Sequence, residues 1–264
     1  MSTSFSDINI INIDQDHMLG RIHSMTSGSV VDGPGIRHVI FLQGCQFKCL
    51  YCHNRDTWDM QAGKLYSVAE LMDEVLSYAR FYDSSNGGVT ISGGEALLQP
   101  EFVNLMFRQL KKMGIHTCLD TNGNVSDQLY SGCLDEILSN TDLVMLDIKH
   151  IDKDQHLHLV GTDNQRPLSF AKYLSENHHK TRIRYVVVPG YTDDKKDLQQ
   201  LAEFISTLNN IERVELLPYH RMGKNKWIEL EQNYPLKEVN PPTKEEMNEI
   251  RYFLETNYQF KVLL

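Results

Sequence analysis

The sequence predicts an α/β fold built on a parallel sheet, and two observations support this prediction. Apolar segments rich in β-formers alternate along the chain with segments of helical periodicity. The length of 264 residues is sufficient for one large α/β domain. Such alternation is typical of βαβ units, and the six strands that we identify are too few for a closed eight-stranded barrel. The residues therefore leave two architectures open, a partial (β/α)6 TIM-like barrel and a doubly wound sheet.

The predicted elements follow one another without a linker or an internal repeat. Residues 1–18 are a polar N-terminal extension to which we assign no role, and residues 19–264 are one domain. Strands are predicted at 39–42, 89–92, 116–120, 143–149, 182–189 and 214–219. Helices are predicted at 68–82, 100–113, 128–138, 169–177, 198–208 and 244–256. Pro100 and Ser169 stand where helices prefer to begin and Gly114 where a helix prefers to end.

The composition disfavours several functional classes. The chain has 35 acidic and 26 basic residues and a formal net charge of −9, which disfavours non-specific nucleic-acid binding. No apolar run approaches the roughly 20 residues of a membrane span, and the N-terminus lacks the pattern of a signal peptide. We therefore expect a cytoplasmic protein with neither nucleic acid nor membrane as a partner. In that reducing compartment, thiolates remain available to a metal.

Three cysteines, Cys45, Cys49 and Cys52, lie within eight residues at the spacing C-x3-C-x2-C. Three thiolates can hold three irons of a [4Fe–4S] cluster and leave the fourth iron open to a small molecule. Zinc held by these cysteines and His53 is a second possibility, and haem attachment at C-x-x-C-H is a third. Buried structural cysteines are the simplest alternative, although three in one short loop make it improbable.

Polar residues recur where the predicted strands end, which in parallel α/β folds is where ligands bind. The carbonyls of Gly93 and Gly94 are open to a ligand amino group because glycine has no Cβ. Asp147, Lys149 and His220 offer partners for a carboxylate or for ribose hydroxyls. The segment 51–53 beside the cysteines offers a surface for an adenine ring.

These residues resemble the motifs of radical S-adenosylmethionine (SAM) enzymes, namely C-x3-C-x2-C followed by Gly-Gly-Glu, here residues 93–95. Asp32-Gly33-Pro34-Gly35-Ile36-Arg37 and the stretch CLYCHNRDTW at 49–58 narrow the resemblance to activases of glycyl radical enzymes, most closely those of pyruvate formate-lyase. The resemblance runs from about residue 20 to the C-terminus. It implies a partial (β/α)6 barrel of the radical SAM type that holds one [4Fe–4S] cluster and S-adenosyl-L-methionine.

The resemblance also implies a role for individual residues. Cys45, Cys49 and Cys52 would ligate the cluster. The SAM-binding residues would be Tyr51, Cys52 and His53 on the adenine side, Gly94 at the methionyl amino group, and Asp147, Lys149 and His220. Asp32 and Arg184 would bind the glycyl loop of the partner enzyme. A monovalent cation would lie near Asp120, Thr121, Met145 and Asp147.

The implied reaction begins with an electron from flavodoxin or ferredoxin and the reductive cleavage of SAM. A hydrogen atom is then abstracted from a glycine Cα of the partner, pyruvate formate-lyase, under anaerobic conditions. No side chain is expected to act as an acid or a base, since the cofactors carry the chemistry and the protein positions them. Two rival hypotheses are a radical SAM enzyme with a small-molecule substrate and a zinc-stabilised binding protein.

Overall fold

The structure is a computed structural model, which describes residues 18–264. Its centre is one nine-stranded sheet in the order β3-β1-β2-β4-β5-β6-β7-β8-β9. The strands are β1 Leu19–Ser29, β2 Arg37–Leu42, β3 Lys64–Ser67, β4 Gly88–Gly93, β5 His116–Thr121, β6 Leu143–Asp147, β7 Thr181–Val187, β8 Ile211–Pro218 and β9 Val262–Leu263. Pairing is parallel from β2 to β9, whereas β1 pairs antiparallel with both β2 and β3. The sheet is not closed, because β3 and β9 form its two edges.

All six strands predicted from the sequence are present as the parallel centre of this sheet. The sequence did not reveal β1, β3 or β9. The residues of β1 are mostly polar and include two glycines, and its second half is largely exposed, so it lacks the apolar alternation of a half-buried strand. The strands β3 and β9 are only four and two residues long.

Helices connect the parallel strands and cover one face of the sheet. They are α1 Val68–Leu76, α2 Ala79–Ser85, α3 Pro100–Lys112, α4 Asp127–Tyr130, α5 Leu134–Ser139, α6 Lys153–Val160, α7 Gln165–Glu176, α8 Lys195–Ser206, α9 Lys224–Glu229 and α10 Lys244–Tyr258. Among these helices, none is long and apolar enough to cross a membrane. The main core lies between helices and sheet, where Ile91, Leu119 and Leu146 belong to the same buried cluster as Met106 and Leu110 of α3.

Local hydrogen bonding explains where the helices begin. Ser67 and Glu70 form a capping box at α1, since the Ser67 hydroxyl accepts from the Glu70 amide and the Glu70 carboxylate accepts from the Ser67 amide. Pro100 is the first residue of α3, as predicted, whereas Ser169 does not start a helix because α7 already begins at Gln165. The last helix, α10, begins at Lys244 as predicted and follows a stretch without helix or strand from residue 230 to residue 243.

Two predicted helices are each divided in the structure. The segment 68–82 breaks after α1, where the Ser77 hydroxyl donates to the Glu74 carbonyl at 2.6 Å and competes with the helical hydrogen bond. The segment 128–138 breaks between α4 and α5, where the Ser131 hydroxyl bonds the preceding turn and Gly132 follows. The short helices α6 and α9 were not predicted.

Candidate active site

A cavity of about 400 Å³ lies at the carboxyl ends of the parallel strands. It gathers most of the site residues predicted from the sequence. Those that line it are Asp32, Cys45, Cys49, Tyr51, Cys52, His53, Gly94, Asp120, Asp147, Lys149, Arg184 and His220. The other two, Thr121 and Met145, do not line it: the Thr121 hydroxyl donates to Glu95, and the Met145 side chain packs on Cys118 and Leu143.

The cysteine loop follows β2 and is held by backbone hydrogen bonds to its neighbours. The amide of Lys48 donates to the Val160 carbonyl at 2.8 Å, and the amide of Leu50 donates to the Leu159 carbonyl at 2.9 Å. The end of α6 therefore fixes the middle of the loop. The indole N–H of Trp227 on α9 donates to the Cys52 carbonyl at 3.0 Å and fixes its far end.

The glycines of the Gly-Gly-Glu motif are required by packing against the cysteine loop. Gly93 has φ +124°, and a Cβ there would lie 2.2 Å from the backbone of Leu42. A Cβ on Gly94 would lie 2.1 Å from the carbonyl oxygen of Gly44 and 3.0 Å from the Cβ of Cys45. A side chain at Gly94 would push the first cysteine out of place, and one at Gly93 would displace the end of β2 that leads into the loop.

Glu95, the third residue of this motif, ties the cysteine loop to the turn after β5. Its amide donates to the Gly44 carbonyl at 2.8 Å. Its carboxylate accepts from the Thr121 hydroxyl and from the Asn122 amide, each at 2.7 Å. Burial raises the pKa of Glu95 to about 7, although these hydrogen bonds favour the ionised form. Glu95 is thus a structural tie between two strand ends.

The three thiols face the cavity in surroundings that favour their neutral form. Burial raises the pKa of Cys45 to about 12, and it also raises the pKa of Cys49 and of Cys52. A bound metal is the usual means of keeping such thiols deprotonated. The Asn122 amide group lies 3.8 Å from the Cys45 sulfur and can donate to it. The donor set therefore fits an iron–sulfur cluster held by three cysteines.

Four charged side chains, on the adjacent strands β5, β6 and β7 and in the residues that follow β6, form another wall of the cavity. Lys149 pairs with Asp147 at 2.7 Å, and Arg184 pairs with Asp120 at 2.9 Å and with Asp147 at 3.8 Å. Burial alone would raise the pKa of Asp147, but the neighbouring Lys149 and Arg184 lower it below its ordinary value. Burial raises the pKa of Asp120, whose second oxygen accepts from the Ser92 hydroxyl. The wall can bind both a carboxylate and an amino group.

Several side chains with rings line the cavity, among them Tyr51, His53 and His220. The rings of His53 and His220 are 5.3 Å apart. Desolvation, followed by the charge of His220, lowers the pKa of His53 to about 4, so this imidazole is neutral at pH 7. The Tyr51 hydroxyl is buried without a hydrogen-bond partner in the described part of the chain. This orphaned group and the flat ring surfaces suit a polar aromatic ligand.

Asp32 enters the cavity from the loop between β1 and β2. The Thr90 hydroxyl donates to the Asp32 carbonyl at 2.6 Å, and the Ser29 hydroxyl donates to its carboxylate at 2.5 Å. The fully buried Arg37 donates to the Thr90 hydroxyl at 3.0 Å and so fixes this anchor. The motif at 32–37 therefore contains both the side chain that enters the cavity and the cation that fixes its loop.

Sequence reasoning gave no role to Asn122, Trp58 or Thr90. Asn122 lies in a Thr-Asn-Gly turn at a strand end. The turn indicated that Asn122 lies near the site, but nothing in the sequence indicated its contact with Cys45. Trp58 lines the cavity and carries the Arg55 guanidinium 3.9 Å from its ring centroid. Thr90 lies inside β4, and no motif in the neighbouring sequence indicated a role for it.

Comparison with known proteins agrees with this geometry. The family model described as "4Fe-4S single cluster domain" matches residues 31–168. The pyruvate formate-lyase 1-activating enzyme of Escherichia coli (strain K12) is 53% identical over 246 residues, covering 93% of this chain and 99% of that protein.

Two solved structures are similar in fold. A domain of the pyruvate-formate lyase-activating enzyme from Bacteroides vulgatus matches with TM-score 0.55 and 27% identity, covering 67% of this chain and 98% of that one. A radical SAM methyltransferase from Sphaerobacter thermophilus matches with TM-score 0.62 and 16% identity, covering 90% of this chain and 76% of that one. This likeness confirms the predicted fold class, an open barrel of the radical SAM type. The sequence match over nearly the whole length shows that the chain belongs to the pyruvate formate-lyase-activating enzymes, a family of radical SAM enzymes.

Proposed function

We propose that this chain activates pyruvate formate-lyase under anaerobic conditions by generating a glycyl radical on it. The observation that carries the proposal is the convergence of three cysteines, a wall of paired charges and Asp32 on one cavity. When bound, the [4Fe–4S] cluster and SAM supply the reductive cleavage and the abstraction of hydrogen from a glycine Cα of the partner. The chain is thus a radical SAM oxidoreductase whose side chains position reactants and exclude water.

Different residues of the cavity have different roles in this proposal. Cys45, Cys49 and Cys52 hold the cluster, and Tyr51, Cys52 and His53 bound the adenine side of SAM. Gly94, Asp147, Lys149 and His220 contact the remainder of SAM, where Lys149 suits its carboxylate and Asp147 its amino group or ribose. Asp32 and Arg184 bind the partner's glycyl loop. These roles suit the charges and exposures described above, and none of them requires acid–base chemistry.

A monovalent cation near Asp120, Thr121, Met145 and Asp147 is part of the proposal. Asp120 and Met145 are partners in the ladder between β5 and β6, so the four residues lie at one place on the sheet. The Asp120 and Asp147 carboxylates and backbone carbonyls are ligands suited to such an ion. We expect potassium and sodium salts to change SAM affinity differently at equal ionic strength.

The electron donor and the compartment complete the proposal. A flavodoxin or a ferredoxin supplies the electron, and the enzyme works in the cytoplasm. A low-potential donor is needed because the cleavage of SAM is reductive. A cytoplasmic location suits the cluster because a reduced cluster needs a reducing compartment.

The test is anaerobic reconstitution with iron and sulfide, followed by SAM, a chemical reductant and purified pyruvate formate-lyase. We expect a glycyl radical signal by electron paramagnetic resonance from the unaltered protein. Single changes Cys45→Ala, Cys49→Ala and Cys52→Ala should abolish the signal and the SAM cleavage, whereas Cys133→Ala, remote from the cavity, should leave both unchanged.

Other outcomes would favour the rival hypotheses. Zinc without iron in the purified protein would favour a zinc-stabilised binding protein. Reductive cleavage of SAM with turnover of a metabolite, and no radical on the lyase, would favour a small-molecule enzyme. Cleavage retained without any of the three cysteines would refute the cluster assignment.

A further inference from the structure

Two valines are exposed at the tip of the turn that carries Asp32. The Ser29 hydroxyl closes the turn by bonding the Asp32 carboxylate, and the Val31 amide lies 3.4 Å from the same hydroxyl. Val30 is 70% exposed and Val31 is 75% exposed. Turn tips favour Gly, Pro, Asn, Asp and Ser, so paired β-branched apolar residues are unexpected there. Val31 also lines the cavity that contains Cys45, Cys49 and Cys52, here termed the catalytic cavity. The tip therefore lies at the rim of the catalytic cavity.

A second cavity of about 280 Å³ lies beside this tip, against α2 and the beginning of β2. Val30 and Ile36 line it on one side, and Tyr78 and Phe81 line it on the other. Phe81 is 54% exposed, although its ring is large and apolar. The second cavity, its rim at Phe81 and the valine tip form one apolar surface, here termed the Val30–Phe81 surface.

We propose that the Val30–Phe81 surface docks the folded body of the partner enzyme outside its glycyl loop. The valine tip joins the two cavities, because Val31 lines the catalytic cavity and its neighbour Val30 lines the second cavity. A protein whose loop enters the catalytic cavity must bring the surface that flanks the loop against this tip. The docking role rests on the proposed function, because it takes the same partner and adds a second area of contact.

The chemistry of the surface suits an apolar side chain on the body of a protein. Its lining combines aliphatic and aromatic groups, which favour an aliphatic or aromatic anchor of the partner. A short peptide confined to the catalytic cavity would not cover Phe81, so peptide and whole protein should depend differently on this surface.

The test compares two substrates, whole pyruvate formate-lyase and a short synthetic peptide that spans its radical-bearing glycine. In Val30→Asp and in Phe81→Asp, a charge is placed on the surface without altering any residue that lines the catalytic cavity. We expect the KM for the whole lyase to rise about tenfold in each variant. We expect radical formation on the peptide and SAM cleavage to stay within about twofold of the unaltered protein.

Tyr252→Asp is the matched control, because Tyr252 is a 69% exposed aromatic residue on α10, away from both cavities. Tyr252→Asp should change neither the KM for the whole lyase nor radical formation on the peptide. An unchanged KM for the whole lyase in both surface variants would overturn the docking role, and so would an equal loss on peptide and lyase. If the unaltered protein forms a radical on neither substrate, the proposed function itself fails, and the docking role fails with it.

Discussion

Arg37 on β2 and Arg184 on β7 are separated by three strands of the sheet, and their surroundings are opposite. Arg184 lines the catalytic cavity and pairs with the carboxylates of Asp120 and Asp147. Arg37 is fully buried at the start of β2, and no carboxylate of residues 18–264 forms an ion pair with it. It donates instead to the Thr90 hydroxyl and to the carbonyls of Pro34 and Val89.

The two pKa values shift in opposite directions for this reason. Burial disfavours charge on both guanidinium groups, and it lowers the pKa of Arg37. In Arg184 the same penalty is outweighed by the negative charges of Asp120 and Asp147, which raise its pKa. The Arg184 Nε has no hydrogen-bond partner within the described residues, since the Asp147 carboxylate with which it pairs is 3.8 Å away. Arg184 thus pairs with carboxylates in the cavity, where we propose that it binds the partner, whereas Arg37 serves the scaffold because a hydroxyl and carbonyls take up its donors.

Among the changes that probe this contrast, Arg184→Met should have the largest effect on activity. The change removes a guanidinium that lines the cavity and leaves Asp120 with only the Ser92 hydroxyl. We expect kcat/KM for radical formation on the lyase to fall about 100-fold, which corresponds to about 2.7 kcal/mol. The measurement is the rate of appearance of the glycyl radical at several lyase concentrations.

Arg184→Lys is the control for charge, since it keeps the cation but loses the planar pair of donors. It should recover part of the rate. Full activity in Arg184→Met would contradict the binding role of this residue.

Arg37→Met should act on stability instead. Methionine fills part of the space but leaves the Val89 and Pro34 carbonyls and the Thr90 hydroxyl without their donor. We expect a loss of about 2 kcal/mol in the free energy of unfolding, measured by urea denaturation. The remaining folded protein should still bind SAM, because Arg37 does not line the catalytic cavity. If Arg37→Met lost SAM binding but kept the stability of the unaltered protein, Arg37 would serve binding and not the scaffold.

The fold was predictable to the extent that each element carried its own pattern. The six parallel strands are short segments rich in β-formers, and α3 and α10 have start signals in Pro100 and in the Thr243–Glu246 capping box. Strand β1 was not predictable because its residues form a strand only through pairing with β2 and β3. That pairing is tertiary and leaves no periodicity in the sequence.

The site was predictable where spacing or a strand end marked a residue. The cysteine spacing and the strand-end residues Asp147 and Lys149 identified members of one cavity. The anchors of the cavity were not predictable. Thr90 and Arg37 act through contacts across 53 positions of sequence, and only the folded sheet brings them together. The individual ligand contacts remain predictions.

A smaller effect is expected from Thr90→Val, which keeps the shape of the side chain but removes its hydroxyl. The Asp32 carbonyl then loses its donor and Arg37 loses one acceptor. We expect a loss of about 1 kcal/mol in stability and a rise of about threefold in KM for the lyase, because the loop of Asp32 is held less firmly. Thr90→Ser retains the hydroxyl and should restore both values. An equal KM in all three proteins would show that Asp32 does not depend on this anchor.

The smallest effect concerns His116, which lies beside Arg37 at a distance of 3.1 Å between Nδ1 and the guanidinium. Burial, followed by the charge of Arg37, lowers the pKa of His116 to about 4, below its ordinary value of 6.5. The unfolded chain therefore binds the proton first, and stability falls as the pH decreases from about 7 towards 4. The partial exposure of the ring limits this loss to about 1 kcal/mol.

His116→Gln keeps an acceptor for Arg37 without a titrating group, so its free energy of unfolding should fall less between about pH 7 and pH 5 than that of the unaltered protein. His158→Gln, an exposed histidine on α6 away from Arg37, controls for the loss of any histidine. The measurement is urea denaturation at each pH under anaerobic conditions. Parallel pH curves for His116→Gln and the unaltered protein would mean that the Arg37 region does not require a neutral imidazole. The contrast between Arg37 and Arg184 would then rest on their hydrogen bonds alone.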